Sequence, residues 1–445
     1  MLTRSGYILD NDPEVKKELT VRAQMNNEFG FPPKPFKVFK QPSNKVLCVP
    51  RFYAEEKFGK PKEDKRPEPK KLSEIVKFSG KLRDETSQNE AFRKGVGQGY
   101  GVLSLPCGYG KTTVALAIAC KLGYRTMIIV HKEFLANQWR ERIKQFCPGA
   151  TIGIVQQDKI EVEHDFIIAM LQSLSQKEYK FEDFETIGTV IVDEAHHICA
   201  KVFSQSLFKM CPKHIYGLSA TPERKDGLTR ILHWFMGPTF FSIERENQTQ
   251  VEVFTIDFMC DKFKDAPPSM RNGKVSLAEM ITMLTEMPER NKMLVDLIKK
   301  ASNGNRQLLV LTDRRNHCTY LNSLFPKTSG IYMGGMKEAE LEESSKKKII
   351  FGTFSQAHEG LDIPTLDSLI LATPKSDIKQ SIGRIMRETP GKNNNPQIWD
   401  IRDQWSLLSI MYVKRKRVYV QGGFILGFDK PLPEEVNHFK GKCYL

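Results

Sequence analysis

Gly108-Tyr109-Gly110-Lys111-Thr112 lies between an apolar run, Gly101-Val102-Leu103-Ser104-Leu105, and a stretch of helix formers, TTVALAIACK, over Thr112–Lys121. The apolar run suits a buried strand and the second stretch a helix, so the chain passes from strand to helix through a glycine-rich turn. That order is at home in a parallel sheet covered by helices. Glycines at 108 and 110 let backbone N–H groups turn toward a phosphate that side chains would block. Lys111 is placed to reach the β- and γ-phosphates, and the Thr112 hydroxyl to ligate Mg²⁺. The helix behind them points its positive N-terminal end at the bound anion. The pattern G-x-x-x-x-G-K-[ST] fails at its first glycine, where Leu105 stands, but its G-x-G-K-T tail is intact. The candidate nucleotide-binding residues are Pro106, Cys107, Gly108, Tyr109, Gly110, Lys111, Thr112 and Thr113. A ligand-free strand–helix turn is the plain alternative.

An acidic pair some eighty residues on argues against that alternative. Gly188-Thr189-Val190-Ile191-Val192 is a second β-branched run, and Asp193 and Glu194 fall where such a strand would end. Ligands of open parallel sheets bind at the carboxyl ends of strands, so both motifs would open on one crevice. Asp193 would hold Mg²⁺, commonly through its water, and Glu194 would orient and deprotonate an attacking water. His196 and His197 read as part of this motif and its packing.

Strand and helix patterns alternate from about 76 to 240. Strands are expected at 101–105, Thr126–Val130, Asp165–Ala169, 189–192 and His214–Leu218, with a helix over Lys132–Phe146. A second alternating unit follows a break at Asp265-Ala266-Pro267-Pro268. It contains helices Lys292–Ala301 and Asn316–Phe325, strands Gln307–Thr312, Lys348–Phe351 and Ser368–Leu371, and a helix from Ser376. Residues 1–75, rich in breakers and charge, read as an accessory module and linker. They hold one candidate hairpin, Phe36–Lys40 with Lys45–Val49. The expected division is therefore 1–75, 76–240 and 241–445. At +14 net charge and pI ≈ 9.2 the chain favours a polyanionic partner. Nine scattered cysteines without C-x-x-C pairs or Cys/His zinc spacing read as reduced thiols. With no hydrophobic signal core and no membrane-spanning run, the expected setting is intracellular, in cytoplasm or nucleus, away from membranes.

The second unit carries no further phosphate loop but has Gln380-Ser381-Ile382-Gly383-Arg384-Ile385-Met386-Arg387. On a helix, Gln380, Arg384 and Arg387 would share a face. Two guanidiniums on one face call for an anion or a carboxylate opposite; the functional reading is an arginine finger that stabilises charge on the transferring γ-phosphoryl group, and an exposed basic helix is the plain alternative. Glu359-Gly360-Leu361-Asp362 reads as a loop after a strand that adds Gly360 and Asp362 to the nucleotide-binding set. Val413–Val420 (VKRKRVYV) reads as a basic edge strand, or else a duplex contact or import signal. Trp139, on the 132–146 helix, reads as a buried anchor rather than a stacking platform.

Phosphate loop, Asp193-Glu194-Ala195-His196, Ser219-Ala220-Thr221, Glu359–Pro364 and Gln380–Arg387, in that order, resemble the superfamily 2 DEAH-type helicases. Leu105–Gly108, Asn137-Gln138-Trp139 and Ser219–Gly227 are most similar to their XPB-like group, with its phage and large-DNA-virus relatives. The resemblance covers about residues 80–390. It implies α/β architecture with two tandem RecA-like domains and a small N-terminal extension, with ATP and Mg²⁺ as cofactors. Lys111, Thr112, Asp193 and Glu194 would come from the first domain, and Gln380, Arg384 and Arg387 from the second. Ser219 and Thr221 would link nucleotide state to closure. Asn137-Gln138, Thr312–Arg315 and Thr353 would grip one strand's phosphates. The viral branch adds a viral replication compartment or virion to the possible settings. The chain departs from the family at its opening Leu-Arg-x-x-Gln. After Leu82-Arg83 the glutamine, Gln88, arrives two residues late, away from the adenine-reading position.

The implied function is an ATP-dependent DNA helicase or translocase moving 3′ to 5′, partnered by DNA and by transcription or repair machinery. The same motor on RNA is the first alternative. A nucleotide-gated clamp that does not hydrolyse is the second, and it would need neither Glu194 nor the arginines.

Overall fold

The structure is a computed structural model. It describes residues 1–445 except 24–33, 107, 200–203, 221–226, 244–249, 260–269, 272–273, 360, 362, 387–391, 393 and 428–445. The chain divides into two compact units, Met1–Arg245 and Glu246–Leu445.

In the first unit an eight-stranded sheet forms from β1 (Tyr100–Ser104), β2 (Thr126–Val130), β3 (Ile152–Gln156), β4 (Lys159–Ile160), β5 (Phe166–Met170), β6 (Thr189–Val192), β7 (His214–Ser219) and β8 (Thr239–Ser242). Their order is β4-β3-β5-β2-β6-β7-β1-β8, all neighbours parallel except the β3–β4 edge pair. Every residue of β2, β5 and β6 is buried, as expected where helices cover both faces. Helices α1 (Lys111–Leu122) and α2 (Glu133–Phe146) lie on one side. There Val114, Leu116, Ala136, Trp139 and Ile143 close a core against Leu103, Ile128 and Ile168.

The five strands expected here all form, with ends within a residue or two of those read from sequence. Ahead of them Leu2–Thr3, Gly6–Asp10, Val46–Val49 and Lys40–Ser43 make a small antiparallel sheet. The expected hairpin is shifted: Lys40–Ser43 pairs with Val46–Val49, whereas Phe36–Lys37 pairs with Thr20–Val21. Val21, Phe36, Val38 and Phe52 share one apolar core with Val102, Met127 and Ile167 of the large sheet. These residues therefore pack as an extension of the first large sheet.

The second unit has seven parallel strands: β9 (Glu252–Phe258), β10 (Leu308–Thr312), β11 (Ser329–Tyr332), β12 (Ile349–Thr353), β13 (Ser368–Leu371), β14 (Gln397–Asp403) and β15 (Ile425–Leu426). They are ordered β11-β12-β10-β13-β14-β9-β15. Helices α3 (Pro288–Ala301), α4 (Phe354–Glu359), α5 (Lys379–Ile385) and α6 (Leu407–Gln421) surround them. Both units are thus built on a largely parallel sheet covered by helices, consistent with the tandem RecA-like architecture. No helix among the described residues is long and apolar enough to cross a membrane.

Two local readings are corrected here. The basic strip Val413–Val420 is helical, inside α6, rather than an edge strand. Leu408, Met411, Tyr412, Arg415 and Tyr419 recur at helical spacing and are buried, and Arg415 is held there by Asp400 at 2.8 Å. Glu359 ends helix α4, which follows β12 directly, so the stretch beginning at Glu359 leaves a helix and not a strand. Helix α5 is described over Lys379–Ile385, and Arg387 lies outside the described residues.

Inside this unit His317 is 3% exposed, with Nδ1 3.1 Å from the Thr312 hydroxyl and Nε2 3.0 Å from Asn291 Oδ1. Burial, with the charge of Arg290, pushes its pKa from 6.5 down to about 3. Unfolded, the imidazole takes a proton near pH 6.5; folded, it resists until about pH 3. Between those values the unfolded chain binds more protons, so acid favours unfolding and the stability present above 6.5 is lost as pH falls. Urea unfolding of wild type and His317→Gln at about pH 7 and about pH 4.5, on either side of the unfolded pKa, checks this. The wild-type midpoint is expected to fall further than the variant's, and equal falls would contradict it.

Candidate nucleotide site

The phosphate loop leaves the carboxyl end of β1 and enters α1 through Gly110, which has φ +81° as the residue before the helix. Gly108 has φ +86°. Side chains rarely adopt such angles, and at 110 a Cβ would also stand 2.5 Å from Gln88 Nε2. Lys111, Thr112 and Thr113 form the first turn of α1, all half-buried. Lys111 Nζ donates to the Leu105 carbonyl at 3.1 Å, and the Tyr109 N–H to the Pro106 carbonyl at 3.3 Å. The ammonium therefore folds back over its own loop, within reach of an anion cradled there. Cys107 lies outside the described residues.

Gln88 has a role that sequence reasoning misses. It is 1% exposed; its Oε1 accepts from the Arg83 N–H at 3.0 Å and its Nε2 donates to the Tyr109 carbonyl at 2.9 Å. Arg83 Nη2 reaches the Gly108 carbonyl at 3.2 Å. Both ends of the Gln88 amide are thus engaged, and they tie the Arg83 backbone to the loop. Its place shortly after Leu82-Arg83 is the one signal the sequence offers.

Strand β6 delivers the acidic pair. The Asp193 N–H continues the ladder to the Ile129 carbonyl at 3.0 Å, after which Glu194 turns the chain at φ +46° into a short 3-10 segment, Ala195–Cys199. In the sheet only β7 separates β6 from β1, and all three run parallel. Asp193, Ser219 at the end of β7 and the phosphate loop thus share one sheet edge. Asp193 accepts from Trp139 Nε1 at Oδ2 (2.8 Å) and from the Glu194 N–H at Oδ1 (3.0 Å). Burial, then the adjacent Glu194 carboxylate, raises its pKa to about 6, against the pull of Trp139 and Lys111. Glu194 Oε2 is buried without a hydrogen bond, 3.5 Å from His196 Nδ1, and that nitrogen is 3.2 Å from Ser219 Oγ. His131, His197 and His196 lie ring against ring in sequence, tilted to one another, with ring centroids 4.1 and 4.4 Å apart. Burial, then His197, pushes His131 down to about 3, so it stays neutral near pH 7. Thr221 lies outside the described residues.

These groups suit a magnesium–nucleotide. Among the described residues no three His, Cys, Asp or Glu side chains are arranged to hold a metal. A metal at Asp193 and Thr112 would therefore take the rest of its oxygen shell from phosphates and water, as Mg²⁺ commonly does.

In the second unit Gln380 is half-buried on α5 and Arg384, one turn on, is 9% exposed. Arg384 Nε donates to the Ala357 carbonyl on α4 at 2.7 Å. The two residues stand one turn apart on α5, with Arg384 the more buried. Arg387, Gly360 and Asp362 lie outside the described residues. Thr353 ends β12 with its hydroxyl 3.1 Å from Ser355 Oγ.

A parallel sheet with a phosphate loop after one strand and an acidic pair after another defines the first unit as a nucleotide-binding α/β unit. Residues 77–224 match the family described as Type III restriction enzyme, res subunit. The mimivirus protein named "Putative ATP-dependent RNA helicase L396" is 34% identical over 428 residues, 90% of this chain and 81% of that one. The "Putative helicase 161L" of Invertebrate iridescent virus 6 is 30% identical over 378 residues, 79% of this chain and 83% of its own. The crystal structure of T4 UvsW aligns over 93% of this chain and 94% of that one. The two share 17% sequence identity at a TM-score of 0.37. The chain belongs to the superfamily 2 helicases, a family of ATP-hydrolysing enzymes that act on nucleic acid.

Proposed function

We propose that this helicase is an ATP-driven motor on DNA, moving 3′ to 5′ and akin to the XPB-like group, at work in transcription, repair or replication-fork remodelling. Glu194 carries the reading: a carboxylate oxygen buried without a hydrogen bond, at the sheet edge that also bears the phosphate loop. A clamp that never hydrolyses has no use for such a group. In this mechanism the Lys111 ammonium and the N-terminal amides of α1 bind the phosphates, and Pro106–Thr113 wrap them. Asp193 and Thr112 would hold Mg²⁺, which would draw charge from the phosphoryl oxygens when bound. Glu194 accepts the proton of the attacking water. Gln380, Arg384 and Arg387, with Gly360 and Asp362 as nucleotide contacts, are assigned to charge developing on the transferring phosphoryl group.

A net charge of +14 supports a polyanionic track held through its phosphates. The second reading, the same motor on RNA, is favoured by the name of the mimivirus relative. Steady-state ATP hydrolysis with no nucleic acid, single-stranded DNA, duplex DNA and RNA separates the readings. Strong stimulation by DNA is the expected result. Stimulation by RNA alone transfers the substrate to RNA, and stimulation by none of them removes the motor.

A further inference from the structure

Trp139 sits at the middle of α2, 1% exposed, its ring packed in the apolar core with Leu103, Ile128, Ile168 and Ile143. A phenylalanine could fill the same kind of space. What the core has no use for is the indole N–H, and that group points at Asp193 Oδ2 from 2.8 Å. The Glu194 N–H takes the other oxygen at 3.0 Å. One donor on each oxygen fixes the plane of the carboxylate. Each oxygen also has two lone pairs, so one remains on each for a further ligand. The ring belongs to the close-packed core, so the donor cannot swing away without disturbing it.

We propose that Trp139 is a positioning residue of the nucleotide site, holding the Asp193 carboxylate in the orientation that receives a metal–nucleotide. This rests on the reading of Asp193 as the metal-holding group. It extends that reading to a residue 54 positions away in the chain. Groups that orient metal ligands from behind typically change metal affinity by about 10–100-fold when removed.

The test compares wild type, Trp139→Phe and Asp193→Asn by two readouts. The first is the Mg²⁺ concentration giving half-maximal ATPase at fixed ATP. The second is the ¹⁵N–¹H spectrum of protein labelled at its tryptophan indoles, of which the chain has four. Trp139→Phe is expected to raise the Mg²⁺ requirement about 10–100-fold while excess Mg²⁺ restores turnover. In the wild type, one indole peak is expected to move on adding Mg²⁺ and ADP, and the same peak should be displaced in Asp193→Asn. A Trp139→Phe enzyme with the wild-type Mg²⁺ requirement overturns the proposal. An Asp193→Asn enzyme with the wild-type Mg²⁺ requirement overturns instead the metal role of Asp193. Should Trp139→Phe fail to fold, the spectra decide: the peak displaced by Asp193→Asn either responds to Mg²⁺ and ADP, or stays in place and ends the proposal.

Discussion

Glu194→Gln is expected to lower nucleic-acid-stimulated ATP hydrolysis by about 10²–10⁴-fold while leaving nucleotide binding intact. The substitution keeps the length and shape of the side chain and removes its ability to take a proton. Shape matters here because Glu194 holds a left-handed φ of +46°, uncommon for any residue but glycine, and its carboxylate is turned to where Oε2 is buried and unbonded. The only charged group recorded against Oε2 among the described residues is the His196 ring, at 3.5 Å, which leaves the oxygen able to accept a proton in the proposed mechanism. The substituted amide would still face His196, whose ring in turn meets Ser219, so the fold around the motif persists. Rapid-quench single turnovers with bound ATP measure the chemical step directly. Hydrolysis at the wild-type rate with unchanged stimulation would mean that Glu194 is not the base. Tight ATP binding with turnover lost would also exclude a collapsed site as the cause.

The strands that bear the site are legible because parallel strands covered on both faces must be continuous apolar runs. Thr126–Val130 and Thr189–Val192 form where their sequences place them. Strand β14 is not legible, since QIWDIRD carries two aspartates, and a buried parallel strand is not expected to hold charge. Asp403 is tolerated because Arg290 donates to both of its oxygens at 2.7 and 2.9 Å, and Asp400 because Arg415 and Tyr419 both donate to Oδ2. Arg290 and Arg415 lie on helices 113 and 15 residues away, beyond any local pattern. The second of these arginines also conceals α6. Arg415 occupies a core position of the helix, so a charged letter breaks the apolar period that Leu408, Met411 and Tyr419 would otherwise show.

The candidate site divides in the same way. Lys111, Asp193 and Glu194 can be read because each stands at a strand end beside a short motif. The bracing by Gln88 and the indole contact of Trp139 arise only when segments 21 and 54 residues apart meet in the folded unit. Helical spacing is enough to mark Trp139 as buried. Burial alone does not show where its N–H points.

Lys111→Ala is expected to reduce ATP turnover by about 10²–10³-fold, the usual loss when one charged donor to a developing phosphoryl charge is removed. The fold should survive. Lys111 is half-buried in the first turn of α1, and its ammonium is bonded to the Leu105 carbonyl at 3.1 Å. Losing such a bond costs about 0.5–1.5 kcal/mol, and alanine is the best helix former. For a unit of this size that is a fall in Tm of roughly 2–4 °C per kcal/mol. Loop geometry rests instead on Gly108, Gly110 and the Gln88–Arg83 brace, none of which the substitution touches. Affinity for nucleic acid measured without nucleotide should therefore change little, because Lys111 bonds within the phosphate loop and is assigned to the nucleotide rather than to the track. Fluorescence anisotropy of labelled DNA, set beside ATPase rate and Tm, separates the cases. Turnover lost with DNA affinity and Tm nearly unchanged places Lys111 in the chemistry. A parallel collapse of all three would make it a prop of the first unit's fold, and the phosphate-loop reading would lose its central cation.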